Sequence, residues 1–224
     1  MADDAEFIQP PDVTYSRPTL WLKTQFVLKR AFDLVCASLL LIFLSPVLLA
    51  AALGVRLSSP GPVLFRQKRW GRAERQFVCW KFRTMHADQD GLVDTSTVQR
   101  LQAQGILFKP RNDPRVTRVG AFLRRTSIDE LPQLFNVLVG DMSLVGPRPL
   151  TLHMLDLYPK LRRARGQVRP GLTGLWQISE RESNQTALQM APYDLGYIRD
   201  FTLWMDFRIL LRTPAVVLFG RGAY

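Results

Sequence analysis

Residues 34–55 read LVCASLLLIFLSPVLLAAALGV, 22 consecutive residues without a charge. At ~1.5 Å per residue, a helix of that length reaches across a hydrocarbon core of ~30 Å. Soluble helices seldom stay apolar on every face for so long, so a lipid-facing element is expected rather than a buried core helix. Ser45-Pro46 falls near the middle, where proline deletes one backbone hydrogen bond and collides with the preceding turn. Both flanks are basic: Lys29 and Arg30 precede the run, and Arg56, Arg66, Lys68, Arg69, Arg72 and Arg75 follow it. Positive charge is retained on the cytoplasmic side, so both ends are expected there. A helix that dips into the bilayer, breaks at Ser45-Pro46 and returns meets both conditions, whereas a straight span carries one basic flank across. The run starts behind an acidic tail and lacks a small-residue cleavage signal, which excludes a cleavable leader.

Outward from this element, residues 1–18 form an acidic tail expected to be disordered, with Asp3, Asp4, Glu6 and Asp12 against Arg17. Residues 19–57 make an amphipathic lead-in, with Trp21 and Phe26 suited to the headgroup level, followed by the re-entrant helix. Residues 58–224 form the cytoplasmic domain. The breaker cluster SSPGP at 58–62 ends the membrane element. A hairpin is expected next, with VLFRQKRW and QFVCWKFRT flanking residues 71–75. Its second strand alternates, so Lys81 and Arg83 project from one face, about 7 Å apart. Residues 86–104 are polar and acid-containing, an insertion or lid that is helical or mobile. A helix is expected over 152–165, a strand over LTGLWQIS at 172–179, and an interfacial helix over 204–219 interrupted by Pro214.

The 224 residues carry a net charge of +11, and 47% are hydrophobic, which excludes a wholly disordered chain. Cys36, Cys79, His86 and His153 are the only cysteines and histidines, so a disulfide framework or Cys/His zinc site is excluded. Catalysis would rest on carboxylates, hydroxyls or cations. The basic excess is concentrated in residues 108–170, with twelve bases against five acids. Such a field suits nucleic acid, an anionic membrane or a phosphate-bearing substrate.

Asp129-Glu130 lies between Arg124-Arg125 and the apolar run LFNVLV. One reading is structural, because Ser127-x-x-Glu130 fits a capping box. Pro132 opposes it, since a helix capped by Ser127 would carry proline in its interior, and a helix beginning at Pro132 avoids the conflict. The pair then sits on the connection entering a helix, where neighbouring carboxylates can converge on one ion. Carboxylates ringed by arginines suit phosphoryl transfer, in which Mg2+ neutralises a diphosphate, arginines cradle its oxygens and a carboxylate attacks phosphorus. They suit retaining glycoside hydrolysis less, because that chemistry places carboxyls roughly 5 Å apart on opposite sides of a sugar.

The segments KRAFDLVCASLLLIFLSPVLL, SPGPVLFRQKRWG, KFRTM, DPRVTRVGAFLRRTSIDELPQLFNVLVGDMSLVGPRP, RPGLTGLWQIS and the terminal RGAY resemble the bacterial sugar transferases, the monotopic phosphoglycosyl transferases. The likeness runs from about residue 29 to 224. It implies an α/β fold of the α+β kind: a mainly helical monotopic membrane protein with a small β-hairpin or sheet element, a proline-broken re-entrant helix and amphipathic interfacial helices. It also implies transfer of a sugar 1-phosphate from a UDP-sugar to polyprenyl phosphate, usually undecaprenyl phosphate. UMP would be released at the cytoplasmic face of the bacterial inner membrane, in the priming step of exopolysaccharide, O-antigen, capsule or glycoprotein glycan assembly.

By the same resemblance, Asp129 matches the nucleophile of a phosphosugar-aspartyl intermediate and Glu130 its Mg2+-binding neighbour. Arg124 matches a phosphate-binding arginine, with Arg125 chemically equivalent. Lys81, with Arg83 beside it, Arg148 and Arg181 fall at substrate-contacting positions, and Ser45-Pro46 at the membrane break. The chain departs from the family at Glu74 and Glu180, where glycine is common. It is expected to be a small self-contained member or a catalytic fragment, and a homo-oligomer is compatible with these features. The alternative is a non-enzymatic basic membrane-surface anchor or scaffold. A nucleic-acid partner is not expected, because it leaves the apolar run and the acidic pair without a role.

Overall fold

A computed structural model describes residues 20–86, 106–107, 113–179 and 185–219. The apolar run belongs to two helices, α1 (Leu20–Phe43) and α2 (Ser45–Ser58), bent by 62° about Leu44. Pro46 lies in the first turn of α2, where its missing N–H costs nothing, and the Ser45 hydroxyl donates to Ile42 O at 2.8 Å. The break thus stands where the sequence put it. The lead-in is not a separate helix, since α1 runs unbroken through it. Among the described residues, no single helix is long and apolar enough to cross a membrane, although the bent pair together passes that test.

The distribution of residues on α1 is inverted relative to a soluble helix. Gln25, Lys29, Asp33 and Ala37, spaced four apart, form its buried stripe, while Val27, Leu28, Phe32, Val35, Leu39, Ile42 and Phe43 are exposed. The polar residues of the stripe bond to the body of the protein. Gln25 Oε1 accepts from Leu203 N at 3.2 Å, Lys29 Nζ donates to Val145 O at 3.0 Å and pairs with Asp206, and Asp33 Oδ1 accepts from Leu144 N at 3.1 Å. Helix α2 continues the exposed apolar surface with Leu49, Leu53 and Leu57. Trp21 is exposed as expected, but Phe26 turns inward and stacks on Phe201 with ring centroids 5.0 Å apart.

The expected hairpin is present, with β1 (Leu64–Trp70) antiparallel to β2 (Gln76–Phe82), Phe65 facing Lys81 and Arg69 facing Phe77. Its 3-10 turn over Arg72–Glu74 holds Ala73 and Glu74 at φ 53° and 54°, a left-handed conformation costly for any residue but glycine. The resemblance leads to an expectation of glycine at position 74, the residue that takes a positive φ without steric cost. In this chain Glu74 compensates by pairing with Arg162 at 2.8 Å.

The remaining described elements are β3 (Ile106–Leu107), α3 (Arg118–Arg125), a 3-10 turn at Ile128–Glu130, α4 (Gln133–Val139), β4 (Ser143–Val145), α5 (Leu152–Asp156), α6 (Pro159–Arg165), β5 (Gly171–Thr173), α7 (Leu175–Ser179), β6 (Gln185–Thr186), α8 (Ala187–Arg199) and α9 (Leu203–Phe219). Strands β4 and β5 pair in parallel, and β3 pairs antiparallel with β6, so the protein is mainly helical with small two-stranded sheets. The central core joins Ala37 of α1, Phe77 and Cys79 of β2, Leu134 and Val137 of α4, Leu144 and Val145 of β4, and Tyr197, Ile198 and Ile209.

Further sequence expectations are corrected. The helix over 152–165 is split, because Pro159 starts a new helix and cannot continue the old one. The strand over 172–179 ends at Thr173. A side chain at Gly174 would sit 2.2 Å from Gly146 O, and beyond it the chain coils into α7, which buries Trp176. Helix α9 continues past Pro214, leaving Trp204, Phe207 and Leu211 exposed. The acidic tail, the insertion at 87–104 and Arg181 lie outside the described residues.

Candidate active site

The acidic pair occupies the 3-10 turn Ile128–Glu130, between α3 and α4. Ser127 takes φ 57° and its side chain caps nothing, so the capping-box reading fails. Pro132 is the N-cap of α4, one residue outside the position expected for it. The helix stops at Gly140, whose φ of 97° is the left-handed terminus that glycine supplies most cheaply.

Glu130 is the electrostatic centre. Its Oε1 accepts from Lys81 Nζ at 2.6 Å and from Arg148 Nη2 at 2.8 Å, and Oε2 faces Arg148 Nη1 at 3.4 Å. Burial pushes this carboxyl up, but the charges of Arg148 and Lys81, with their hydrogen bonds, outweigh it and hold the pKa well below the usual carboxylate range. Glu130 in turn raises Arg148. Asp129 lies within electrostatic reach of Arg124 and Arg148. Arg124, lowered mainly by burial, donates Nε to Thr84 Oγ1 at 2.8 Å. That contact depends on close approach, because a Cβ at Gly120 would meet Thr84 O at 2.1 Å.

The structure therefore gathers Asp129, Glu130, Lys81, Arg124 and Arg148. Arg83 is turned elsewhere. It leaves the strand at Phe82, and its guanidinium donates to the carbonyls of Pro60, Ser59 and Val55, fastening the end of α2 to the hairpin. Arg125 is exposed on the outer side of α3.

The supporting residues were not singled out from the sequence. Asn136, 1% exposed, accepts from Trp80 N at 3.1 Å and donates to Val78 O at 2.7 Å, so its amide occupies the free edge of β2 beside Lys81. The loop carrying Arg148 hangs from two arginines. Arg69 donates to Pro149 O at 3.0 Å, and Arg165, paired with Asp194, donates to the Arg148 carbonyl. Burial lowers Arg69 to about 10. A polar Asn inside the run LFNVLV was a legible signal; Arg165 within RRAR was not.

Among the described residues, no group of three or more His, Cys, Asp or Glu is placed to enclose a metal. The donor set fits a hard cation completed from outside the protein. Among the described residues Glu130 Oε2 meets the long contact to Arg148, and Mg2+ is commonly held by one or two carboxylates plus substrate phosphates and water.

A profile of the family described as Bacterial sugar transferase matches residues 24–220. The chain is 43% identical over 205 residues to the UDP-glucose:undecaprenyl-phosphate glucose-1-phosphate transferase of Escherichia coli, covering 88% of this chain and 42% of that protein. A protein of the same name from Caulobacter vibrioides is 47% identical over 205 residues, covering 88% of this chain and 72% of the relative. The undecaprenyl-phosphate galactose phosphotransferase of Salmonella typhimurium is 42% identical over 201 residues, covering 88% and 42%. The chain thus spans about two fifths of the length of the Escherichia coli and Salmonella relatives. With a matched profile over most of its length and the acidic pair set among Lys81, Arg124 and Arg148, the chain belongs to the bacterial sugar transferase family.

Proposed function

We propose that the protein transfers a sugar 1-phosphate from a UDP-sugar to undecaprenyl phosphate at a membrane surface, priming polysaccharide assembly. The observation that carries this reading is the Glu130 carboxylate clamped by Lys81 and Arg148 directly beside Asp129. Glu130 is held ionised by two cations, so it is a poor nucleophile and a good organiser. Asp129 is assigned the attack. Its carboxylate oxygen bonds to the phosphorus bearing the sugar, the diphosphate P–O bond breaks, and UMP leaves. In the second step an oxygen of the lipid phosphate attacks the same phosphorus, the acyl-phosphate bond breaks, and the Asp129 carboxylate is regenerated. Lys81, Arg124 and Arg148 neutralise phosphate oxygens as charge builds. Mg2+, held by Glu130 and the diphosphate, would withdraw charge from the leaving UMP. The test is direct: purified protein, a panel of UDP-sugars and undecaprenyl phosphate should yield UMP and an organic-extractable sugar lipid. A scaffold yields neither.

Glu130→Gln is expected to reduce turnover strongly, with partial recovery at high Mg2+, read by UMP release. Its effect on stability depends on pH. The folded pKa lies below the unfolded one, so the contribution of Glu130 is complete above the ordinary carboxylate range and is lost as pH falls through the folded value. Denaturation midpoints of the native and Gln proteins should therefore converge on acidification.

The inverted α1 surface and the 62° bend support a re-entrant membrane element with both termini cytoplasmic. Pro46→Leu, which restores the missing N–H, should shift the pair toward a straight span and lower activity. Accessibility labelling of introduced cysteines would show it by moving one terminus to the periplasmic side.

A further inference from the structure

Beyond β2 the chain runs on through Thr84 and pairs with the segment that leads into α3. Met85 and Val116 form an antiparallel bridge, His86 N donates to Arg115 O at 2.9 Å, and Thr117 N donates to Thr84 O at 3.1 Å. Thr117 is the N-cap of α3, its hydroxyl accepting from Gly120 N at 2.9 Å. Gly120 follows in the first turn, and its bare backbone lies against the Thr84 carbonyl. Arg124 is four residues further, on the same face of the helix, and its Nε donates to Thr84 Oγ1 at 2.8 Å. The start, middle and end of α3 are thus all docked on one buried residue, three positions after Lys81.

Backbone docking of this kind does not need a hydroxyl at position 84. The Thr117 and Gly120 contacts use only the Thr84 main chain, and Phe82 and Leu123 on either side of the junction pack in an apolar cluster. What the hydroxyl adds is direction. A guanidinium held at Nε keeps its outer edge, Nη1 and Nη2, in a fixed plane, and Arg124 makes no other hydrogen bond among the described residues. Such a fork matches two oxygens of one phosphate. Of the charges around Arg124, that of Asp129 acts on it most strongly, so the fork stands beside the carboxylate assigned the attack.

We infer that Thr84 is a positioning residue for the transfer, aiming the Arg124 fork at the phosphate that Asp129 attacks and fixing it relative to Lys81 through the short segment from 81 to 84. This role rests on the phosphoryl-transfer reading above. Its rival is purely structural: a hydroxyl that satisfies a buried arginine and contributes to stability alone. The two roles part in the rates, because a structural bond lowers the melting midpoint and leaves the turnover of the folded protein unchanged.

Thr84→Val, Thr84→Ser, Arg124→Met and the Thr84→Val/Arg124→Met double variant, each made in the full chain, test the role. The readouts are sugar-phosphate transfer, calorimetric binding of UDP with Mg2+, and the melting midpoint. Thr84→Val should lower transfer roughly 10- to 100-fold and weaken UDP, whose terminal phosphate stands in for the sugar-bearing one. Thr84→Ala, which removes the hydroxyl without adding a methyl in its place, should do the same if the valine disturbs folding. Thr84→Ser keeps the oxygen and should retain most of both functions. The double variant should be no worse than Arg124→Met alone, because Thr84 acts through the guanidinium. Native transfer and UDP affinity in folded Thr84→Val or Thr84→Ala, or losses that simply add in the double variant, would overturn the positioning role. A native chain that bound UDP but moved no sugar phosphate would overturn the proposed function, and the same cycle in UDP affinity would still decide the role of Thr84. A native chain that did neither would overturn both.

Discussion

Asp129→Asn is expected to reduce sugar-phosphate transfer by several orders of magnitude in a protein that still folds. The amide cannot form an acyl phosphate. The fold should survive, because this turn does not use the Asp129 side chain as a helix cap: Ser127 is left-handed, and α4 begins beyond Pro132. The contacts that organise the site belong to Glu130, with Lys81 at 2.6 Å and Arg148 at 2.8 Å, and these persist in the variant. A melting midpoint close to native combined with near-zero UMP release is the expected signature. Mass spectrometry should verify that the Asn has not deamidated. High Mg2+ should recover no activity, in contrast to Glu130→Gln.

Asp194→Asn carries the largest expected effect on stability. Arg165 and Asp194 are 7% and 3% exposed and pair inside the protein, and Arg165 also donates to the backbone carbonyl of Arg148. Removing the carboxylate leaves a buried guanidinium without its counter-charge, a change that costs about 3–5 kcal/mol. The denaturation midpoint should fall accordingly. Replacing both partners together, as Arg165→Met with Asp194→Leu, should return much of the stability, because well-packed apolar residues often equal a buried pair. It should not return activity, since the Arg148 carbonyl would still lack its donor and the loop its anchor. Stability recovered without turnover would separate the packing role of the pair from its role in placing Arg148.

The bent apolar helix pair and the hairpin were legible because each rests on a strong local signal. An uncharged run interrupted by Ser45-Pro46 dictates a bent apolar pair, and alternation around residues 71–75 dictates a two-stranded ladder. The start of α4 was legible to within one residue from Pro132. What the sequence concealed depends on long-range partners. Arg83 follows Lys81 at strand spacing, yet β2 ends between them, and Arg83 finds the carbonyls at the end of α2 instead. The strand expected over 172–179 stops where Gly174 crosses Gly146, a contact between segments far apart in the chain. Phe26 looked interfacial because its partner, Phe201, lies 175 positions away. Glu74 was visible as a departure from glycine, but its compensation by Arg162 was not.

In the proposed reaction Asp129 attacks phosphorus and carries the phosphosugar between donor and lipid. Incubating the purified protein with UDP-sugar and Mg2+ but no lipid acceptor, then measuring UMP and the intact mass of the protein, tests it most directly. The expected result is UMP up to one equivalent per protein and a matching mass increase that maps to Asp129 and is absent from Asp129→Asn. Turnover with lipid, but with neither UMP nor any adduct before lipid is added, would contradict it.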